Sequence, residues 1–225
     1  MNLSNPARLS SSFQALFPPG VIAAESDLPG RVELLLPEEA ACLGRAVAER
    51  QQEFAAGRLC ARRALAELDI ENFALIAAPD RQPVWPPAIV GSITHTVGLC
   101  AAVVARGSRF AGLGVDTEIV GRVTAELRAR ICVASELEWI DSLPEAKRAA
   151  AAALMFAAKE AFYKCQSPLT GQWLGFQDVR IEAAVDTFRV IPTRPIALTE
   201  LTGSPLAGRY RYHKEFVSAG IALER

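Results

Sequence analysis

Along this chain, a long stretch with helical spacing is followed by short β-branched or apolar runs, and that order occurs twice. The first helical stretch opens at Pro37, Glu38 and Glu39, with proline in an early turn and acids near the positive end of the dipole. Its apolar residues Phe54, Ala61, Leu65 and Leu68 keep helical spacing towards Asp69, with Gly57 as the position expected to bend or split it. Beyond Pro79, Pro83, Pro86 and Pro87 the period changes, and "IVGSITHT", "LCAAVVA" and "FAGLGVDT" read as a three-strand meander. Ser135 with Glu138 forms a capping-box pattern, and Pro144 starts a second long helix through "PEAKRAAAAALMFAAKEAFYKC", expected to stop before Pro168. "DVRIE", "TFRVI", "YRYHKEF" and "VSAGIAL" are again strand-like. The expected fold is α+β, a pseudo-dimer of two similar halves at 1–112 and 113–225, each a long helix packed on a small antiparallel sheet. The doubling rests on element order, since no residue-level repeat accompanies it.

A length of 225 residues is enough for a proper core, and 51% hydrophobic against 22% charged residues is the balance of an ordered globular chain. Net charge is −1, from 24 Lys and Arg against 25 Asp and Glu, so no global field favours nucleic acid and any anion site must be local. The five cysteines are far apart, form no C-x-x-C pair and lie among apolar neighbours, which suits a reducing cytosol. The opening "MNLSNPARLSSSF" has no cationic stretch followed by an apolar run. The longest apolar run, Ala149 to Ala158, is too short to span a bilayer, so a cytoplasmic protein without a membrane span is expected.

Four short stretches carry chemistry. In "GLGVDTE", Asp116 and Glu118 leave a strand on the same face, about 6–7 Å apart, and two like charges there need a cation. Taken alone, such a pair is ordinarily a solvated strand end. In "FAAKEAFYK", Glu160 and Lys164 stack at i,i+4 within the most apolar part of the second long helix, where an uncompensated charge is costly. If Glu160 faces the strand end, three carboxylates share one hard cation such as Mg²⁺, with Lys159 and Lys164 flanking the phosphates that complete its shell. In "GSITHT", His95 is one of two histidines and reaches the same rim as Asp116, beside the hydroxyls of Ser92 and Thr94. Arg50 and Arg58 lie on the first helix, about 12 Å apart if it is straight, and act together only on a long anionic ligand or across a bend.

Together with "RQPVWPPAIVGSITHT" and "SPLTGQWLGFQDV", these stretches resemble, in order from about residue 50 to 180, the 4′-phosphopantetheinyl transferases. The similarity is to the monomeric two-half type that serves siderophore, non-ribosomal peptide and polyketide synthases. The resemblance implies coenzyme A in the cleft between the halves and transfer of its 4′-phosphopantetheine to a serine of an acyl, peptidyl or aryl carrier protein. It implies Asp116, Glu118 and Glu160 at Mg²⁺, with Mn²⁺ as an alternative, and Arg50 and Arg58 at the adenosine 3′-phosphate. Thr94 and His95 would meet the coenzyme A phosphates, Lys159 and Lys164 the pyrophosphate, and Arg81 the nucleotide. Glu160, Lys164 and Lys159 are the expected catalytic set, with Glu160 as base, directly or through a metal-bound water. The chain departs from the pattern at Phe156, where many relatives have tryptophan, and at Thr117, where the middle residue is often apolar. Carrier docking is expected on the second half, around Leu127 to Trp139. The rival expectations are a coenzyme A or nucleotide-binding module without chemistry, and a metal-dependent phosphohydrolase or nuclease, which calls for a denser acid cluster.

Overall fold

The computed structural model describes residues 12–198 and 206–225. The opening segment read above for a secretory leader lies almost wholly outside them. The fold is α+β and entirely antiparallel in its sheets. A three-stranded sheet has the order β1-β3-β2, built from β1 (Val21–Ser26), β2 (Ile89–Thr96) and β3 (Leu99–Arg106). A five-stranded sheet has the order β4-β8-β7-β6-β5, from β4 (Phe110–Ile119), β5 (Val179–Ala183), β6 (Thr187–Pro192), β7 (Leu206–His213) and β8 (Phe216–Glu224).

Each sheet carries one long helix. On the first, α2 (Ala48–Ala66) buries Ala56, Cys60 and Ala61 against Cys100 and Ala102, and Ala64 and Leu65 against Ile89 and Val104. On the second, α5 (Glu145–Thr170) contributes Ala153, Ala157, Ala161, Phe162 and Cys165 to a core shared with Val217, Ala219 and Ile221 of β8. The opposite face of the first sheet, with Val21, Ala101 and Val103, packs on Leu113 and Val115 of β4, which joins the halves through a second core.

Several expectations change here. "FAGLGVDT" does not extend a meander: β2 and β3 form a hairpin, β3 pairs onward with β1, and β4 pairs with β8 across Gly114↔Ile221 and Asp116↔Ala219. Glycine decides this. A Cβ on Gly114 would overlap the carbonyl oxygen of Ala161, and one on Gly112 would stand 3.0 Å from that of Cys165, so only glycine lets β4 lie flat on α5. The expected boundary at 112/113 falls inside β4. The first helical stretch is broken not at Gly57, which sits within α2, but between α1 (Pro37–Ala41) and α2, where Gly44 turns at φ 53°. α5 runs through Pro168, which occupies its last turn, and ends at Gly171 with φ 62°, a left-handed cap. The capping box is set two residues earlier than expected: α4 (Ala134–Ser142) starts where Glu136 Oε2 accepts from the Val133 amide at 2.8 Å, after the short α3 (Ala125–Ile131).

Candidate active site

The two sheets meet at β2 and β4 without a shared backbone ladder. Ser92 Oγ accepts from the Val115 amide at 3.1 Å and Thr94 Oγ1 from the Thr117 amide at 3.0 Å, so two hydroxyls satisfy the exposed edge of β4. Alternation then separates the residues of β4. Leu113 and Val115 enter the shared core, while Gly112, Gly114, Asp116 and Glu118 fall on the face towards α5.

Asp116 is buried at 6% exposure. Its Oδ1 accepts from Lys164 Nζ at 2.7 Å and from Thr94 Oγ1 at 3.2 Å, and Lys164 also donates to the Val115 carbonyl at 3.2 Å. Among the described residues its Oδ2, which is buried, has no hydrogen-bond partner. A buried carboxylate oxygen without a donor is costly, and it marks an open coordination position. Burial, and next the charge of Asp116, pushes the Glu118 carboxyl up to about 7. The same two causes, in the same order, raise Glu160, while Lys164 pulls it back. The charges of Asp116 and Glu160 both act on Glu118, and that of Asp116 acts on Glu160. Among the described residues, however, no three His, Cys, Asp or Glu side chains are drawn tightly enough to close a metal site by themselves. An orphaned oxygen flanked by two carboxylates whose proton affinity is raised is a donor set that fits a hard divalent cation, provided water or phosphate oxygens fill the rest of its shell.

Beside Asp116 opens a cleft of about 570 Å³, and Arg50, Arg58, Arg81, His95, Asp116 and Lys164 all line it. Thr94 stands behind them, 1% exposed. The two helix arginines need no bend, since both reach the one cleft from a continuous α2. Arg50 Nη1 lies 2.9 Å from His95 Nε2 and 2.9 Å from Glu53 Oε2. Because arginine only donates, the imidazole is neutral with its proton on Nδ1. Burial holds His95 below its ordinary pKa, with Arg50 and Lys164 acting the same way and Glu53 opposing them. Arg58 packs over the Phe54 ring at 3.7 Å and donates from Nε to the Leu75 carbonyl at 3.0 Å. Burial lowers it to about 10, so it stays charged at neutral pH. Arg81 sits on a turn with φ 71°.

Lys159 is elsewhere. Its Nζ, fully buried, donates to Glu136 Oε2 at 2.7 Å and to the carbonyls of Ile131 and Phe176 at 2.9 and 2.8 Å. Three donors meet three acceptors, which leaves nothing to offer a pyrophosphate. The reason is helical geometry: five residues separate Lys159 from Lys164, about 140° around the axis, whereas Glu160 and Lys164 are about 40° apart. Residues that sequence reasoning missed include Glu136, which holds Lys159, the Val133 amide and the Ile181 amide at 2.6 Å. Gln82 was missed as well; its Nε2 reaches Ser167 Oγ on α5 at 3.1 Å, linking the two halves at the rim of the cleft. Apart from the Val133 amide, three residues from Glu136, their partners lie 23 to 85 residues away, so no local pattern announces those contacts.

Residues 38–105 match the 4′-phosphopantetheinyl transferase N-terminal domain, and residues 112–211 match the 4′-phosphopantetheinyl transferase superfamily. The 4′-phosphopantetheinyl transferase Svp of Streptomyces mobaraensis is 39% identical over 171 residues, spanning 73% of this chain and 69% of that protein. The 4′-phosphopantetheinyl transferase PptT of Mycobacterium tuberculosis is 35% identical over 207 residues, 88% of this chain and 89% of that protein. The 4′-phosphopantetheinyl transferase Npt of Nocardia iowensis is 31% identical over 212 residues, 92% of this chain and 86% of that protein.

Proposed function

Because the chain belongs to the 4′-phosphopantetheinyl transferase superfamily, we propose that it transfers the 4′-phosphopantetheine group of coenzyme A to a serine of a carrier protein, with coenzyme A in the cleft between its sheets. The observation that carries the assignment of this site is Asp116: one oxygen held by Lys164 and Thr94, the other buried and unpartnered, at the wall of a cleft lined by three arginines. Arg50 and Arg58 take the adenosine 3′-phosphate and Arg81 assists at the nucleotide. Thr94, His95 and Lys164 serve the pyrophosphate. Asp116, Glu118 and Glu160 are the residues that would hold Mg²⁺, or Mn²⁺ in its place, and the ion would supply charge neutralisation on the pyrophosphate.

The chemistry asks mainly for in-line positioning and charge neutralisation. The serine Oγ bonds to the β-phosphorus as the bond from that phosphorus to the bridging oxygen breaks, and adenosine 3′,5′-bisphosphate leaves with the oxygen. Glu160 accepts the hydroxyl proton; burial holds its carboxyl above the usual range, which makes it a better proton acceptor than an exposed glutamate. Lys164 offsets charge on the leaving phosphate. No covalent enzyme intermediate is needed.

The carriers are those of non-ribosomal peptide, polyketide and siderophore synthases, met on the second half around Leu127 to Trp139, where Arg128 and Arg130 lie on α3. The chain works as a cytoplasmic monomer, and no helix among the described residues is long and apolar enough to cross a membrane. Incubation with an apo carrier protein and coenzyme A, with and without Mg²⁺, tests the proposal. The expected result is a mass gain of one phosphopantetheine on the carrier serine and release of adenosine 3′,5′-bisphosphate; a carrier of unchanged mass would overturn it.

A further inference from the structure

Glu39 is the most deeply buried acid of the first half, with no solvent exposure, and it stands outside the cleft. Its carboxylate accepts from the Leu36 amide at 3.0 Å, from the Leu75 amide at 3.1 Å and from Arg62, which also donates to the Leu34 carbonyl at 2.6 Å. Leu75 is therefore held at both of its backbone polar groups, one in each of the two peptide units that flank its Cα. Its N–H is fixed by Glu39 and its C=O accepts from Arg58 Nε at 3.0 Å. Leu75 itself is fully buried, so neither of these backbone groups has water to replace its partner.

Arg58 is in turn pinned twice, at Nε by Leu75 and on its planar face by Phe54 at 3.7 Å. Among the described residues its two terminal nitrogens have no protein acceptor, and the side chain lines the cleft. A guanidinium held at Nε with both terminal nitrogens free presents a two-pronged donor edge, the geometry that grips a phosphate. The charge of Glu39 also favours the protonated guanidinium, second only to the opposing effect of burial.

We propose that Glu39 is a positioning residue for substrate selection: through the backbone of Leu75 it sets the orientation of Arg58, and with it the preference for coenzyme A over coenzyme A lacking the 3′-phosphate. This rests on the assignment of Arg58 to the 3′-phosphate. It predicts that a residue remote from the ligand changes selectivity for one phosphate group while leaving the transfer step alone.

The test compares KM and kcat for coenzyme A and 3′-dephospho-coenzyme A in four proteins. Removing Glu39 alone would leave Arg62 unbalanced and raise the positive field, so the principal variant is Glu39→Gln with Arg62→Met, which removes one charge of each sign. Glu39→Asp is the second variant; it keeps the charge but is one methylene too short to hold both amides, and it carries the test if the double variant does not fold. Arg58→Met is the reference, expected to lose the preference for the 3′-phosphate by about tenfold or more. Both Glu39 variants should lose a similar factor, entirely in KM, with kcat for coenzyme A and KM for the dephospho substrate close to the parent's. A merely structural loss would weaken both substrates together. If Arg58→Met loses the preference and the folded Glu39 variants keep it, the relay through Leu75 is wrong. If Arg58→Met keeps it, the assignment of Arg58 fails, and the proposal for Glu39 with it.

Discussion

Lys164 Nζ lies 2.7 Å from Asp116 Oδ1, and that contact commits one oxygen of the carboxylate while its neighbour Oδ2 stays buried and open. Lysine and aspartate thus divide the site between a fixed cation and a vacant acceptor. Lys164→Met should lower transfer by about 10²–10³-fold, as expected for loss of a preorganised charge at a phosphoryl-type transition state. Steady-state kinetics with an apo carrier checks this, and a variant within twofold of the parent would remove Lys164 from the mechanism.

Glu160→Gln should reduce transfer by about 10²–10⁴-fold while coenzyme A still binds measurably by calorimetry. The glutamine keeps the shape of the side chain and loses its ability to take a proton or ligate strongly. Turnover at the parent rate would show Glu160 to be neither base nor essential ligand.

Glu118 gives the site a pH signature without substrate. Its carboxyl titrates near 4.5 when unfolded and about 7 when folded, because of burial and then of Asp116, so the folded state holds the extra proton between these values. The stability this contributes is complete below pH 4.5 and is lost as pH rises to about 7. Melting temperature should therefore fall across that window, Glu118→Gln should flatten the fall, and Mg²⁺ should raise the melting temperature at pH 8 far more than at pH 5. A Mg²⁺ effect of equal size at both pH values would remove Glu118 from the ion's ligands.

Lys159→Met should destabilise the protein by about 3–5 kcal/mol, since it strands the buried Glu136 carboxylate. Denaturant unfolding measures this, and the folded fraction should keep the parent KM for coenzyme A. A raised KM with unchanged stability would instead return Lys159 to the pyrophosphate.

Gly114→Ala should cost about 1–3 kcal/mol from overpacking against the Ala161 carbonyl, and activity should fall with it because Asp116 is two residues along the same face. Alanine at Gly175, where φ is −84° and an added Cβ would meet nothing closer than 3.7 Å, is the control for glycine replacement as such. Activity unchanged at position 114 would mean that β4 can leave α5 without disturbing the acids.

The acids of this site were legible in the sequence because alternation alone puts Asp116 and Glu118 on one strand face and helical spacing puts Glu160 beside Lys164. Lys159 was misassigned by adjacency: a neighbour in sequence is a quarter-turn away on a helix, and the partners that captured it, Ile131, Glu136 and Phe176, lie 17 to 28 residues away. Doubling of the helix-then-strands order was legible, but the destination of β4 was not, since its period of two suits either sheet and the choice is made by the close approach of Gly114 to α5. Glu39 gave no signal beyond a first-turn acid, because its value lies in amides that only the folded chain brings to it.

The hydroxyl contacts of Ser92 and Thr94 have a bearing on how this molecule tolerates change. Each sheet keeps its own ladder, so along the seam of β2 and β4, above the apolar core the halves share, the hydrogen bonds are single-atom stitches, and losing one hydroxyl there loosens the seam without unravelling either sheet. Thr94 is the stitch that also touches Asp116, so the tightness of the seam and the poise of the acid vary together.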